Sequence, residues 1–191
     1  MPRTVAIDTA HYFGSATPSR LADRLTITVT PKSFPPYLDD LNADWLASVG
    51  IPAFRILGRR RGRVAGFCSI GTGTGLDALG AIEVFAPDLV GITDVDDEIV
   101  AAARANIEGT LRGATRPTLL AGVGDLLSPL AVRAPKFDVI YENLPNVPSS
   151  TTAGHSTSAR ASSNFFGPRP EEIPAEVQAA LLSLHYLALL Q

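Results

Sequence analysis

The chain has 191 residues, 46% of them hydrophobic and 18% charged, with a formal net charge of −3 at neutral pH. That balance excludes a disordered or fibrous chain and a broadly basic nucleic-acid binder, and it leaves room for one domain with a substantial core. No apolar run reaches the ~18 residues needed to cross a membrane, and Arg3, Asp8 and His11 interrupt any leader-like start. The single cysteine, Cys68, forbids an internal disulfide and fits a reducing interior, so a cytoplasmic setting is expected. Three histidines and one cysteine lack ligand spacing, and no metal site is expected.

In chain order, the β-branched run Thr26-Ile27-Thr28-Val29-Thr30 predicts a strand. Ser33-Phe34-Pro35-Pro36-Tyr37 reads as a turn or extended segment, because proline restricts itself and its predecessor. Asn42 to Val49 predicts a short helix burying Trp45, Leu46 and Val49, with Gly50 as its stop. The basic stretch Arg55 to Arg63 reads as a solvated turn ahead of a buried strand. The pattern then alternates. Strands are expected at Val64–Ile70, within Asp88–Thr93 ending at Asp94, at Thr118–Ala121 and at Phe137–Tyr141. Helices are expected at Leu76–Phe85 and Asp97–Glu108, the latter with Ile99, Val100, Ala103 and Ile107 at 3.6-residue spacing. Strands alternating with amphipathic helices imply a parallel α/β sheet with right-handed crossovers. Ser149 to Ser163 has no periodicity and reads as a mobile loop, followed by an amphipathic helix entered at Pro174.

Everything turns on the stretch Ser69-Ile70-Gly71-Thr72-Gly73-Thr74-Gly75-Leu76. Glycines at alternate positions let a strand turn sharply into a helix and let the backbone lie against a ligand. A dinucleotide fingerprint needs glycine or alanine three positions after Gly73, and that place holds Leu76. The spacing suits an adenosyl ligand without a pyrophosphate. Asp94 ends the second strand of the alternation, where it can accept both ribose hydroxyls. Asp125 follows the third, where it can accept from an adenine amino group. All three marks fall at the carboxyl ends of consecutive strands, the ligand-binding edge of open α/β sheets.

On these residues, the chain from about Val64 to Pro148 resembles a class I S-adenosylmethionine-dependent methyltransferase. Asn143-Leu144-Pro145-Asn146 is similar to the Asn-Pro-Pro-Tyr/Phe motif of the amino-methylating branch, which includes release-factor glutamine and N6-adenine methyltransferases. The resemblance implies a Rossmann-like fold, mostly parallel with helices on both faces, and S-adenosyl-L-methionine as cofactor. It implies cofactor contacts from Ser69, Gly71, Thr72, Gly73, Gly75, Asp94, Val95, Asp125, Leu126 and Asn143. Asn143 and Pro145 would hold a target nitrogen, with Glu142 as a proton acceptor, and His155 is a second candidate base. Residues 1–63 would be an N-terminal extension, on the substrate side or a lid, and 64–191 the cofactor domain.

Two departures from the family's pattern stand out. Its first motif opens on an acidic residue where this chain has Ser69; Asp77, Glu142 and Asp96 are the conceivable substitutes. In the fourth motif Leu144 replaces a proline and Asn146 the aromatic, which argues against a nucleobase as acceptor unless Phe165 or Phe166 restores a stacking surface. The substrate class is therefore a nitrogen of a small molecule or a protein side chain, with no membrane partner. A non-catalytic cofactor-binding or scaffold relative and an aminopropyltransferase-type enzyme are the alternatives. The resembling fold has three more strands, so the chain reads as truncated after the fourth strand and its helix. The apolar face of Val177 to Leu190 would then favour self-association.

Overall fold

The computed structural model describes residues 1–15, 17–113, 116–133 and 135–143. The expected loop Ser149–Ser163, the C-terminal helix, His155, Phe165, Phe166 and Pro145 all lie outside the described residues.

Four strands form one parallel sheet: β3 (Gly66–Ile70), β4 (Leu89–Asp94), β5 (Thr118–Val123) and β6 (Val139–Glu142), in the spatial order β5-β4-β3-β6. The chain steps outward from β3 to β5, then returns to the opposite side of β3. That reversal makes a doubly wound, Rossmann-like order whose switch point lies between β3 and β6. β3 is central and every one of its residues is buried.

Three helices cover one face. They are α2 (Ile51–Arg61), α3 (Leu76–Phe85) and α4 (Asp97–Thr110). Ile99, Val100, Ala103 and Ile107 of α4 are all buried, as their spacing predicts. Asp96 caps α4 by accepting from the Glu98 and Ile99 N–H groups, and Asp97 and Glu98 complement the helix dipole in its first turn. On the second face the described residues place a 3₁₀ turn, Ser128–Arg133, whose Leu130 packs with Cys68, Leu120 and Phe137. Helices on both faces were expected; among the described residues they stand on one.

The first 63 residues contribute apolar side chains to the same core as the sheet. β1 (Arg3–Asp8) and β2 (Arg24–Val29) pair antiparallel, joined through the short α1 (Thr9–Phe13). Ile7, Phe13, Leu25 and Ile27 belong to one cluster with Phe67, Leu79, Val90 and Ile107. β2 covers the expected strand except Thr30 and begins two residues earlier. β1 and α1 were not foreseen, since Arg3, Asp8 and His11 mask the alternation of Val5 and Ile7.

Two expectations for this half are corrected. Gly50 does not stop a helix: a π-helical turn (Leu46–Gly50) runs straight into α2, with Pro52 in the first turn, where its missing N–H costs nothing. The glycine serves close packing instead, because a Cβ there would lie 2.8 Å from Leu46 Cδ1 and 3.3 Å from the Tyr141 hydroxyl. The arginine run is likewise helical rather than a solvated turn, with Arg59, Arg60 and Arg61 in the last turn of α2, where cations meet the negative end of the dipole. Arg55 points inward and donates to the Phe13 carbonyl at 2.6 Å.

Candidate functional site

The glycine turn joins β3 to α3, and its conformation explains its composition. Gly71, Gly73 and Gly75 have φ of 65°, 53° and 80°, the left-handed region that a side chain disfavours. Gly75 has a second reason: a Cβ would stand 3.2 Å from the Ala103 carbonyl and 3.3 Å from its Cβ, so α3 and α4 could not approach as they do.

Most of the turn's N–H groups are already committed. Thr72 N–H donates to the Thr93 carbonyl at 3.0 Å, Gly75 N–H to the Thr72 carbonyl at 2.8 Å, and Gly73 N–H to Asp94 Oδ2 at 3.2 Å. Asp94 is thus fixed against the turn, half-buried, with its carboxyl raised above the usual range chiefly by desolvation. Its own carbonyl accepts from Gly124 N–H at 2.9 Å, which draws the end of β5 alongside. Asp125 follows, exposed, and its carbonyl accepts from Ser128 N–H at 3.0 Å. Val95 is 74% exposed. Leu126 turns the other way: with φ of 47° it is buried against Ile70, which leaves only its backbone for a ligand.

The acid missing from position 69 is found in space. Ser69, fully buried, donates its hydroxyl to Asp77 Oδ2, and Ala78 N–H donates to Asp77 Oδ1 at 2.8 Å. Asp77 lies in the first turn of α3, buried, with its pKa pushed up to about 6 by desolvation; the Ser69 and Ala78 hydrogen bonds pull the other way, and the nearby Asp94 adds a further small rise. No lysine or arginine pairs with Asp77 or Asp94 among the described residues. Of the other conceivable substitutes, Asp96 is occupied as the α4 cap and by Lys32 Nζ at 2.6 Å.

Across the switch point, Ile70 pairs with Glu142 in register, so Asn143 follows level with Gly71. Glu142 is half-buried and Asn143 exposed. The fold therefore gathers Ser69, Gly71, Thr72, Gly73, Gly75, Asp94, Val95, Asp125, Leu126, Glu142 and Asn143 along one sheet edge.

Two buried polar residues of consequence carry no local sequence signal, and Trp45 departs from the one it carries. Asn106 on α4 is buried; its Oδ1 accepts from Thr28 N–H at 2.8 Å, while its Nδ2 donates to the Thr28 carbonyl at 2.9 Å and to the Thr74 carbonyl at 3.0 Å. It ties the N-terminal hairpin to the glycine turn. Asp44, 7% exposed, accepts from the Tyr12 hydroxyl and from the Tyr37 and Ala47 N–H groups, each at 2.9 Å. Trp45, expected in the core, is 44% exposed; Asp44 takes the buried place beside it, and Trp45 stands at the entry to the π-helical turn.

Compared with known proteins, the chain matches no protein-family model and no curated sequence.

Proposed function

We propose that the chain is an S-adenosylmethionine-dependent methyltransferase acting on a nitrogen of a small molecule or protein side chain. One observation carries the reading: the glycine turn is lined by two carboxyl groups and most of its donors are already engaged. A dinucleotide's pyrophosphate needs free N–H groups at the helix N-terminus. Here Gly73, Gly75 and Thr72 already donate within the protein, and the Asp77 carboxyl group occupies the first turn of α3. Two carboxyl groups, with no lysine or arginine paired to them among the described residues, suit a positively charged nucleoside better than a phosphate.

The residues fit that cofactor. Asp94 would accept from the ribose diol and Asp125 from the adenine amino group. The Ser69–Asp77 pair would take the place of the acid that the resembling family carries at position 69, facing the amino-acid end. When bound, the cofactor supplies a methyl group already activated on a sulfonium, so the protein's work is alignment and exclusion of water. Asn143 Oδ1 would accept an N–H of the acceptor nitrogen and orient its lone pair. Glu142, one residue back on β6, would receive the proton the nitrogen sheds.

A calorimetric titration with S-adenosylmethionine tests this. Saturable binding is expected, weakened by about 1.5–3 kcal/mol in Asp94→Ala, the loss of a charged acceptor. Absence of binding to the folded chain, or equal binding of NAD, would sink the reading.

A further inference from the structure

A cavity lies between α1 and α2, and none of the residues lining it belongs to the glycine-turn site. Its volume is about 330 Å³, and its walls include Phe13, Ala47, Ile51, Ile56, Arg55 and Arg59. That size stands at the lower end of small-molecule sites, which are mostly apolar with a few placed polar groups. The floor is tightly backed. Phe13 and Ile51 are buried and lie against α3: a Cβ at Gly80 would stand 2.3 Å from Ile51 Cδ1 and 3.2 Å from Phe13 Cε1. Ile56 is 51% exposed, so apolar surface in the wall is still open to a ligand.

The two arginines stand four positions apart on α2 and so share a face. Arg55 is half-buried, and one end of its guanidinium is held in place. Its Nη2 donates to the Phe13 carbonyl at 2.6 Å and to Ser15 Oγ at 3.2 Å, while Nη1 and Nε have no protein partner among the described residues. Arg59 Nε donates to the Arg55 carbonyl at 3.4 Å, which draws that side chain back along the helix. Neither arginine meets a carboxylate among the described residues. No acidic residue lines the cavity, and no aspartate or glutamate occurs between Asp44 and Asp77. A half-buried guanidinium beside apolar walls is a costly charge until an anion meets it. Its planar fork matches a carboxylate.

We propose that this cavity binds a small organic acid with an aliphatic body. The carboxylate pairs with the unengaged N–H groups of Arg55 and with Arg59, and the body lies against Phe13, Ala47, Ile51 and Ile56. The site is separate from the methyltransferase reading and does not depend on it. Inorganic phosphate would meet the charge but not the walls, and an alkylammonium the walls but not the charge.

The full chain is titrated by calorimetry with octanoate and, in parallel, with 1-octanol, octylammonium and inorganic phosphate. Saturable binding of octanoate is expected, with none of the other three at the same concentrations. Arg55→Gln weakens octanoate about ten-fold. Because Arg55 also holds Phe13 and Ser15, two variants that leave those bonds intact carry the test independently. Arg59→Gln, at an exposed position, weakens octanoate about three-fold. Ala47→Leu, which puts a larger side chain into the cavity, abolishes its binding. Octanol, octylammonium or phosphate binding as tightly as octanoate overturns the inference. So does an absence of octanoate binding, or octanoate binding that survives both Arg59→Gln and Ala47→Leu unchanged.

Discussion

At the carboxyl edge of the sheet, several polar groups find partners a few residues away. Gly75 bonds Thr72, Asp96 caps its own helix, and Ser69 reaches Asp77 eight positions on. At the N-terminal hairpin the partners are remote. Asn106 reaches back 78 positions to Thr28, Glu83 accepts from Ser19 and Arg20 N–H across 64 and 63 positions, and Asp44 accepts from Tyr12 across 32. Glu83, Asp44 and Asn106 are all buried. The edge thus combines short-range contacts that form with the turn itself and strand-to-strand reaches such as Gly73 to Asp94. The hairpin is held by a few buried side chains that act only once the fold has closed.

The sharpest way to break that contrast is Asn106→Leu. The leucine fills the space but leaves the Thr28 N–H and the Thr28 and Thr74 carbonyls without this partner. A loss of about 2–4 kcal/mol in a urea titration is expected. Because Asn106 touches both regions, cofactor affinity should fall with it. A loss confined to stability would mean the hairpin and the glycine turn are not coupled through this residue.

The edge has its own signature, in pH. Asp77 has a folded pKa of about 6 against an ordinary 3.8, so between those values the folded chain holds a proton that the unfolded chain has released. Stability contributed by this group is therefore highest below about pH 4, falls as pH rises toward 6 and levels off above it. The drop is at most about 3 kcal/mol for a shift of this size. Asp77→Asn should flatten it, so the difference between parent and variant unfolding free energies is measured from pH 4 to 7. Ser69→Ala, which removes a hydrogen bond that lowers the pKa, should move the transition to higher pH. A parent and variant with parallel pH profiles would show that Asp77 titrates normally.

The same division decides what was legible in the sequence. Helix α3 begins and ends where its pattern and glycines place it, at Leu76 and Phe85, and Asp94, Asp125 and Asn143 meet at one edge because strand alternation dictates a parallel order. Local chemistry was enough there. It failed between residues 42 and 63, where Gly50 reads as a stop but serves the close approach of Tyr141, and where an arginine run reads as solvated turn but closes a helix. Trp45 was misjudged because tryptophan is usually buried, and its environment depends on which neighbour Asp44 satisfies. Asn106 sits in a helical pattern that gives no hint of three partners on two other segments. A residue that acts through tertiary contacts leaves no periodic trace.

The smallest expected effect tests whether the hairpin depends on its buried side chains or on its surface charges. Arg112 makes a two-pronged pair with Asp23, at 2.8 Å and 2.9 Å, and both side chains are largely exposed. Next to it, main-chain bonds persist without any side chain: Ala22 N–H to the Thr110 carbonyl at 2.9 Å, and Arg112 N–H to the Arg20 carbonyl at 2.7 Å. Leu21, fully buried, bridges to Leu111 between them. Exposed ion pairs lose most of their Coulomb energy to water and salt, so Arg112→Ala should cost about 0.5 kcal/mol, and less still in 0.5 M salt. A cost matching that of Asn106→Leu would reverse the argument, making surface charge the clasp that joins the hairpin to α4 and the buried asparagine a lesser partner.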